Sequence, residues 1–256
     1  MIDTRAVVDR LHTLESLAII PRVSSTNLVA RRILEECLDN ELSLPQAIIV
    51  AREQFAGRGR NERYWSSPPD KGIYATTLLT RPSSELALVP LEMASAVATF
   101  LRDRFEIDAR IKWPNDVMVA GRKIAGILIE ARVHEERVHM LIGTGINVEP
   151  VEHESRPNAV SIAEVARHSY AGIENATIAF IEHLDARLSQ RVDRARVLDE
   201  WRRLTMHKEG DPISSIVGVR TISGTWRGID DHGRALIRTD TEVIPVSAGE
   251  IILASS

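Results

Sequence analysis

The sequence has little cysteine, no excess of positive charge and no long apolar run, and each absence excludes a class of protein. Cys37 is the one cysteine in 256 residues, so no disulfide forms within the chain and a reducing cytoplasm is expected. The formal net charge of −4 gives no overall basic field for nucleic acid. No apolar run reaches the roughly 18 residues of a membrane span, and no signal-peptide core follows Met1. We therefore predict a cytoplasmic globular protein with no nucleic-acid or membrane partner.

The texture of the sequence changes near residue 210. Before it, apolar residues at helical spacing (28–38, 86–104 and 174–208, the last broken near Asp193) alternate with β-type runs (47–51, 72–80, 109–113, 124–133 and 138–148). After it, short β-type runs surround the tight turn 230–233. We predict a larger α+β domain over 1–209 and a small β-barrel domain over 210–256.

The stretch from Lys112 to Leu128 is predicted to form a strand, a turn at Pro114, and a tight hairpin. Its functional side chains are those of Lys112, Asn115, Asp116 and Lys123, with the bare backbone of Gly126 close by. Lysines beside turn carboxylates and a glycine favour a phosphate-bearing ligand. The alternative is a surface hairpin whose charges are solvated.

Three further segments carry polar or glycine patterns. Ser24–Asn27 precede a helix, where they either cap it or bind a small polar ligand. The irregular segment 53–72 contains the Gly57-Arg58-Gly59-Arg60 motif, which suits an anion or belongs to a flexible charged loop. Glycines at 143 and 145 bare one face of a strand, so that a helix or a flat ligand can pack there.

Taken together, these segments resemble the biotin–protein ligases. The motifs are Ser25-Thr26-Asn27, Gln54-Phe-Ala-Gly57-Arg-Gly-Arg60, Lys112-Trp-Pro-Asn-Asp116, Lys123-Ile-Ala-Gly126-Ile-Leu and Gly143-Thr-Gly-Ile-Asn147, and the resemblance covers about residues 20–254. It implies a class II synthetase-like core, with a mixed, mostly antiparallel sheet flanked by helices, and an SH3-like C-terminal barrel. It also implies that biotin and ATP, with Mg²⁺, give biotinyl-5′-AMP and pyrophosphate, and that biotin then passes to a lysine of a biotin carboxyl carrier domain.

The resemblance also assigns residues to roles. The expected catalytic cations are Lys123, Arg58, Arg60 and Lys112. The expected biotin-binding residues are Ser25, Thr26, Asn27, Gln54, Gly57, Lys123, Gly126 and Gly143, with the two last leaving room for the bicyclic ring. The expected nucleotide-binding residues are Arg58, Arg60, Trp65 (stacked on adenine), Lys112, Asn115, Asp116 and Asn147, and Asp116 is the candidate metal ligand.

Two departures from the family pattern stand out. Glu62 occupies the position of the second glycine of the loop motif, and the arginine that follows it is kept as Arg63. About 20 residues precede the catalytic motifs, so we expect a short form without a DNA-binding domain. The resemblance leaves a homodimer open. Two other functions also stay open: a lipoate or octanoate ligase or transferase of the same fold, and a biotin- or nucleotide-binding module without catalysis.

Overall fold

The computed structural model describes residues 2–151, 158–167, 172–217, 220–247 and 250–253. Its main feature is a seven-stranded sheet in the order β1-β2-β3-β7-β6-β5-β4. The strands are β1 Ser16–Ile20, β2 Ala47–Ala51, β3 Gly72–Pro82, β4 Arg110–Lys112, β5 Asp116–Val119, β6 Arg122–His134 and β7 Arg137–Asn147. β1 and β2 pair in parallel, and the other neighbouring strands pair antiparallel. The predicted mixed, mostly antiparallel sheet is confirmed.

Helices cover both faces of this sheet. They are α1 Thr4–Val8, α2 Thr26–Asp39, α3 Val89–Phe105, α4 Ile162–Val165, α5 Ile173–Leu188 and α6 Arg194–Leu204. Alternation along β2 shows the two layers, since Ile48 and Val50 join the large core formed with α3, α5 and α6, whereas Ala47 and Ile49 join a smaller core formed with α2. β2 is therefore buried on both faces, as its continuous apolar sequence predicts.

The predicted long helical stretch 174–208 is two helices, with the break at the predicted place. Asp193 is the N-cap of α6, and its carboxylate accepts hydrogen bonds from the backbone N–H groups of Ala195 and Arg196. The first helix is short, since α1 begins at Thr4 and ends at Val8.

One apolar stretch, Ser83–Phe105, is long and hydrophobic enough to cross a membrane by composition, contrary to the expectation that no such run exists. It comprises a 3₁₀ turn and α3, and 67% of its most apolar window is buried inside the protein. The long run therefore corresponds to the central core helix.

The C-terminal region forms a separate five-stranded antiparallel sheet in the order β11-β10-β9-β8-β12. Its strands are β8 Pro212–Val217, β9 Arg220–Ile229, β10 Ala235–Arg238, β11 Val243–Val246 and β12 Glu250–Leu253. It packs on the larger unit through aromatic contacts, with Trp226 6.3 Å from Trp201 between ring centroids. The small β unit is thus confirmed, and the boundary between residues 209 and 210 stays a prediction.

Candidate active site

A pocket lies on the α2 face of the sheet, where β3, β6 and β7 run side by side. Its floor is bare backbone, because Gly126 on β6 pairs directly with Gly145 on β7 and Leu128 pairs with Gly143. The lining residues are Ser25, Thr26, Asn27, Gln54, Arg58, Gly59, Trp65, Ala75, Asn115, Lys123, Gly126, Ile127, Leu128, Gly143, Thr144 and Gly145. Sequence motifs separated by up to about 120 residues therefore meet at one place.

Side chains of the protein itself pack on the glycine floor. A Cβ at Gly145 would lie 2.5 Å from the Trp65 ring, and one at Gly143 would lie 2.4 Å from Asn27 Oδ1. The glycines of β7 thus admit an indole ring and an amide, and the space over Gly143 predicted for the bicyclic ring of biotin is taken up by Asn27. With Trp65 in place the cavity volume is about 50 Å³, which is room for a few water molecules.

One end of the pocket is a buried polar cluster at the start of α2. Ser25 is the N-cap residue, but its side chain makes no capping hydrogen bond, so the capping alternative does not explain it. The Gln54 carbonyl accepts the backbone N–H of Thr26 at 2.8 Å, and its amide nitrogen donates to Ser67 at 2.9 Å. Thr26, Gln54 and Ser67 are each less than a tenth exposed. Fixed donors and acceptors of this kind recognise a small polar group rather than bulk solvent.

The other end carries the cation. Lys123 Nζ lies 2.6 Å from Asp116 Oδ1 and 5.2 Å from the centroid of the Trp65 ring. Asn115 supports this end, because its amide nitrogen donates to the Ile127 carbonyl at 2.6 Å and its carbonyl oxygen accepts from Arg60 at 2.8 Å. The second hairpin lysine therefore forms an ion pair with the turn carboxylate at the rim of the pocket.

The loop that contains Arg58 and Arg60 is held by backbone hydrogen bonds, although its sequence has no regular pattern. The backbone N–H of Trp65 donates to the Gly57 carbonyl at 2.9 Å, and the backbone N–H of Gly59 donates to the Arg63 carbonyl at 2.7 Å. A Cβ at Gly57 would lie 2.4 Å from the Trp65 carbonyl oxygen, so this glycine is needed for the close approach. The left-handed residue of the turn is Asn61, with φ of 52°, a conformation that asparagine tolerates well.

Five predicted site residues lie outside the pocket lining: Gly57, Arg60, Lys112, Asp116 and Asn147. Gly57, Arg60 and Asp116 contact lining residues, as described above. Asn147 donates from its amide nitrogen to the carbonyls of Lys123 and Val160, at 3.3 and 3.1 Å, so it links the start of β6 to the segment before α4. Lys112 ends β4, and its charge helps to lower the pKa of His207.

Sequence reasoning missed two residues of the polar end. Thr76 on β3 bonds Asn27 at 2.6 Å, and Glu130 on β6 accepts from the Asn27 amide at 3.0 Å. Both lie on strands of the sheet, and neither position was assigned a role from the sequence. The available signal for Thr76 was a hydroxyl in an otherwise apolar strand. The signal for Glu130 was a carboxylate three residues after the buried Ile127.

A second buried polar group joins the two structural units. The backbone N–H of Trp113 donates to Nε2 of His207 at 3.1 Å, and the imidazole stacks on Trp226 with 4.5 Å between ring centroids. Burial, followed by the charge of Lys112, lowers the pKa of His207 to about 4. His207 is therefore neutral near pH 7, and it connects the Trp-Pro-Asn-Asp turn to the C-terminal sheet.

Comparison with known proteins agrees with this geometry. The model of the biotin/lipoate A/B protein ligase family matches residues 19–147, and that of the biotin protein ligase C-terminal domain matches residues 213–254. The chain belongs to the biotin/lipoate A/B protein ligase family. The C-terminal domain model that it matches is that of biotin protein ligases, and its named relatives are biotin–protein ligases.

Three relatives illustrate the likeness. The bifunctional ligase/repressor BirA of Escherichia coli is 32% identical over 250 residues, which are 94% of this chain and 75% of the relative. The biotin–[acetyl-CoA-carboxylase] ligase of Paracoccus denitrificans is 31% identical over 78% of this chain and 88% of the relative. The biotin protein ligase of Aquifex aeolicus in complex with biotin and ATP superposes with a TM-score of 0.74 and 25% identity, over 94% of this chain and 99% of that one. The bifunctional BirA relatives are longer, since the match spans only 66% of the Bacillus subtilis protein.

Proposed function

We propose that this chain is an ATP-dependent biotin–protein ligase, which makes biotinyl-5′-AMP and transfers biotin to a lysine of a biotin carboxyl carrier domain. The observation that carries the proposal is the polarity of the pocket, with a buried hydrogen-bonding end at Thr26 and Gln54 and a cation at Lys123. Biotin has matching ends, a ureido ring and a carboxylate. The floor between them at Gly126 and Gly145 is bare backbone, which suits a flat bicyclic ring once the Trp65 ring moves off it.

The first half-reaction brings two anions together. A carboxylate oxygen of biotin attacks the α-phosphorus of ATP, a bond to phosphorus forms, and pyrophosphate leaves. Lys123 reaches both groups and offsets their repulsion, and Arg58, which lines the same pocket, contributes a second cation. The chain supplies no covalent nucleophile in this scheme.

In the second half-reaction the carrier lysine, as a free amine, attacks the acyl carbon. The amide bond forms, AMP leaves, and the amine loses a proton. The mixed anhydride hydrolyses readily in water, so the loop 54–71 would act as a cover, and two of its residues, Arg58 and Trp65, already line the pocket.

Asp116 fits a Mg²⁺ ion that is held mainly by phosphates. Magnesium usually takes one or two protein carboxylates together with substrate phosphates and water, and the described residues contain no group of three or more acidic, histidine or cysteine ligands. Asp116 is a single carboxylate at the rim beside Lys123. When bound, the ion would screen the triphosphate charge.

A lipoate or octanoate activity is disfavoured by the polar end of the pocket. An acyl chain or dithiolane ring offers nothing to Thr26 or Gln54, so these buried groups would lose water without gaining a hydrogen bond. The decisive experiment is exchange of labelled pyrophosphate into ATP with biotin, lipoate or octanoate as the acid. Exchange with biotin alone supports the proposal, whereas exchange with lipoate alone assigns the sibling activity, and binding without exchange assigns a non-catalytic module.

The carrier substrate is tested separately. Full-length protein, ATP, Mg²⁺, biotin and a biotin carboxyl carrier domain should give one added biotin mass on one lysine, by mass spectrometry. The cytoplasmic location, the absence of nucleic-acid and membrane partners, and the assembly state stay predictions.

A further inference from the structure

A continuous chain of hydrogen bonds runs from the surface at Arg31 to the pocket at Thr26. The Arg31 guanidinium bonds one oxygen of the Glu130 carboxylate, and Asn27 Nδ2 donates to the other at 3.0 Å. The Thr76 hydroxyl lies 2.6 Å from Asn27 Oδ1, and its oxygen lies 2.8 Å from the Thr26 hydroxyl oxygen. A charged surface pair is thus linked to a group that faces ligand.

The carboxylate at one end fixes the direction of every proton in this chain. An ionised carboxylate only accepts, so Asn27 must turn its NH₂ toward Glu130 and its oxygen toward Thr76. Thr76 has one hydroxyl proton, and Asn27 Oδ1 takes it at the shorter distance of 2.6 Å. The Thr76 oxygen is then the acceptor for the proton of the Thr26 hydroxyl.

The competing acceptor for that proton is farther away and already accepts one hydrogen bond, whereas Thr76, whose own proton goes to Asn27, is the nearer acceptor. The Thr26 hydroxyl also lies 3.1 Å from Gln54 Oε1, but this oxygen accepts the Thr26 backbone N–H at 2.8 Å. The hydroxyl proton therefore goes to Thr76 at 2.8 Å. Toward the pocket, Thr26 Oγ1 has only lone pairs to offer.

The chain is held rigidly. Thr76, Thr26 and Asn27 are 0%, 3% and 6% exposed, so bulk water cannot supply alternative partners. The Asn27 amide packs against the bare backbone of Gly143, where a Cβ would lie 2.4 Å from Oδ1.

We infer that Glu130 is a positioning residue for biotin recognition, because its charge keeps the Thr26 hydroxyl an acceptor for a ureido N–H. Glu130 does not touch biotin and acts through Asn27 and Thr76. The inference rests on the proposed function. The inference is that Glu130, a carboxylate outside the pocket lining, makes the site prefer a ligand with N–H over one with a ring oxygen at one position of the ureido ring.

Glu130→Gln is the sharpest variant, because it keeps the shape and removes the charge. The cationic Arg31 then takes the glutamine oxygen, so the glutamine NH₂ faces Asn27 and donates to Oδ1. Asn27 turns over, its NH₂ donates to Thr76, and Thr76 donates to Thr26. The Thr26 hydroxyl becomes able to donate to the ligand.

The test compares biotin with its two cyclic-carbamate analogues, in each of which one ureido N–H is replaced by a ring oxygen. Calorimetric dissociation constants are measured for wild type, Glu130→Gln and the control Arg31→Lys, which keeps both charges. For one analogue, wild type and Arg31→Lys should bind about a hundredfold more weakly than biotin, since an acceptor would face an acceptor. In Glu130→Gln that ratio should fall to about tenfold or less.

The outcomes separate this inference from the proposed function. A merely structural role of Glu130 would weaken biotin and the analogues alike and leave the ratio unchanged, which would overturn the inference. Equal binding of biotin and both analogues by wild type would also overturn it while leaving the ligase activity standing. If the wild-type protein does not bind biotin at all, both the proposed function and the inference are wrong.

Discussion

Lys123 Nζ lies 2.6 Å from Asp116 Oδ1, and each side chain is about one-third exposed or less. The ion pair joins Lys123 near the start of β6 to Asp116 at the start of β5, the neighbouring strand of the hairpin. Lys123 is thereby held at the rim of the pocket, where an incoming carboxylate and phosphate compete with Asp116 for its charge. We therefore predict that the proposed first half-reaction depends more on Lys123 than on any other residue.

Lys123→Ala should reduce biotin-dependent pyrophosphate exchange by about 10²–10³, the usual effect of removing one charge-assisted contact that acts in the transition state. The matched control is Arg122→Ala, which removes the neighbouring cation on the same strand, exposed and 3.4 Å from Glu164. Arg122→Ala should exchange at close to the wild-type rate. Equal losses in the two variants would mean that general charge, rather than the position of Lys123, matters.

Trp65 should report the arrival of biotin rather than of ATP. Its ring covers Gly145 and Gly126, and its indole N–H is buried without a hydrogen-bond partner in the described structure. A ligand ring that reaches the floor must displace the indole, which also lets this N–H find water. We therefore expect biotin alone to change the tryptophan fluorescence and ATP alone to leave it nearly unchanged.

The variant Trp65→Phe identifies the source of this signal, because the three other tryptophans remain. The biotin-induced change should disappear in it. A change caused by ATP alone and lost in Trp65→Phe would instead support the role as an adenine-stacking residue that the sequence suggests.

Sequence patterns predicted the parts of the site whose residue types are informative in themselves. Lys123, Asp116 and the alternate glycines at 143 and 145 stand out, because charges at a turn and bare positions in a strand need a reason. The β-type runs predicted the strands, and the family resemblance implied their mixed sheet. The break before α6 follows from Asp193, a residue suited to an N-cap.

The contacts that complete the site could not be predicted in this way. Asn27 and Glu130 are 103 positions apart, and only the register of β6 with β7 brings Glu130 beside the start of α2. The place of Trp65 on the glycine floor depends on the path of a loop that has no periodicity. Sequence separation hides both relationships, since residue type alone does not specify a long-range partner.

Asp185 should stabilise the N-terminal segment through its carboxylate. This side chain on α5 is 2% exposed and accepts the backbone N–H groups of His12, Thr13 and Leu14 at 2.7 to 2.8 Å. Asp185→Asn turns an NH₂ group toward one or more of these donors, so it should cost about 2–3 kcal/mol in urea unfolding. Asp199→Asn, at an exposed carboxylate 3.1 Å from Arg202, is the control and should change the free energy of unfolding by less than about 0.5 kcal/mol.

His207 should make the stability of the protein depend on pH below neutrality. Its pKa is about 4 in the folded chain, against 6.5 as the ordinary value, because burial and then the charge of Lys112 oppose protonation, with Asp211 acting in the opposite direction. The unfolded state therefore binds more protons between these two pH values, and the free energy of unfolding rises with pH in that window. The contribution is complete above about pH 6.5 and is lost as the pH falls toward 4, by about 3 kcal/mol in total.

Urea unfolding between pH 4 and 7 measures this slope, and His207→Gln isolates it. Glutamine can accept the Trp113 N–H through its amide oxygen but does not titrate, so the variant should unfold more easily at pH 7 and show a flatter dependence on pH. The carboxylates also titrate at the lower end, so the comparison is the difference between the two proteins at each pH. A difference that stays constant from pH 4 to 7 would show that His207 does not control the packing of the C-terminal sheet through its charge.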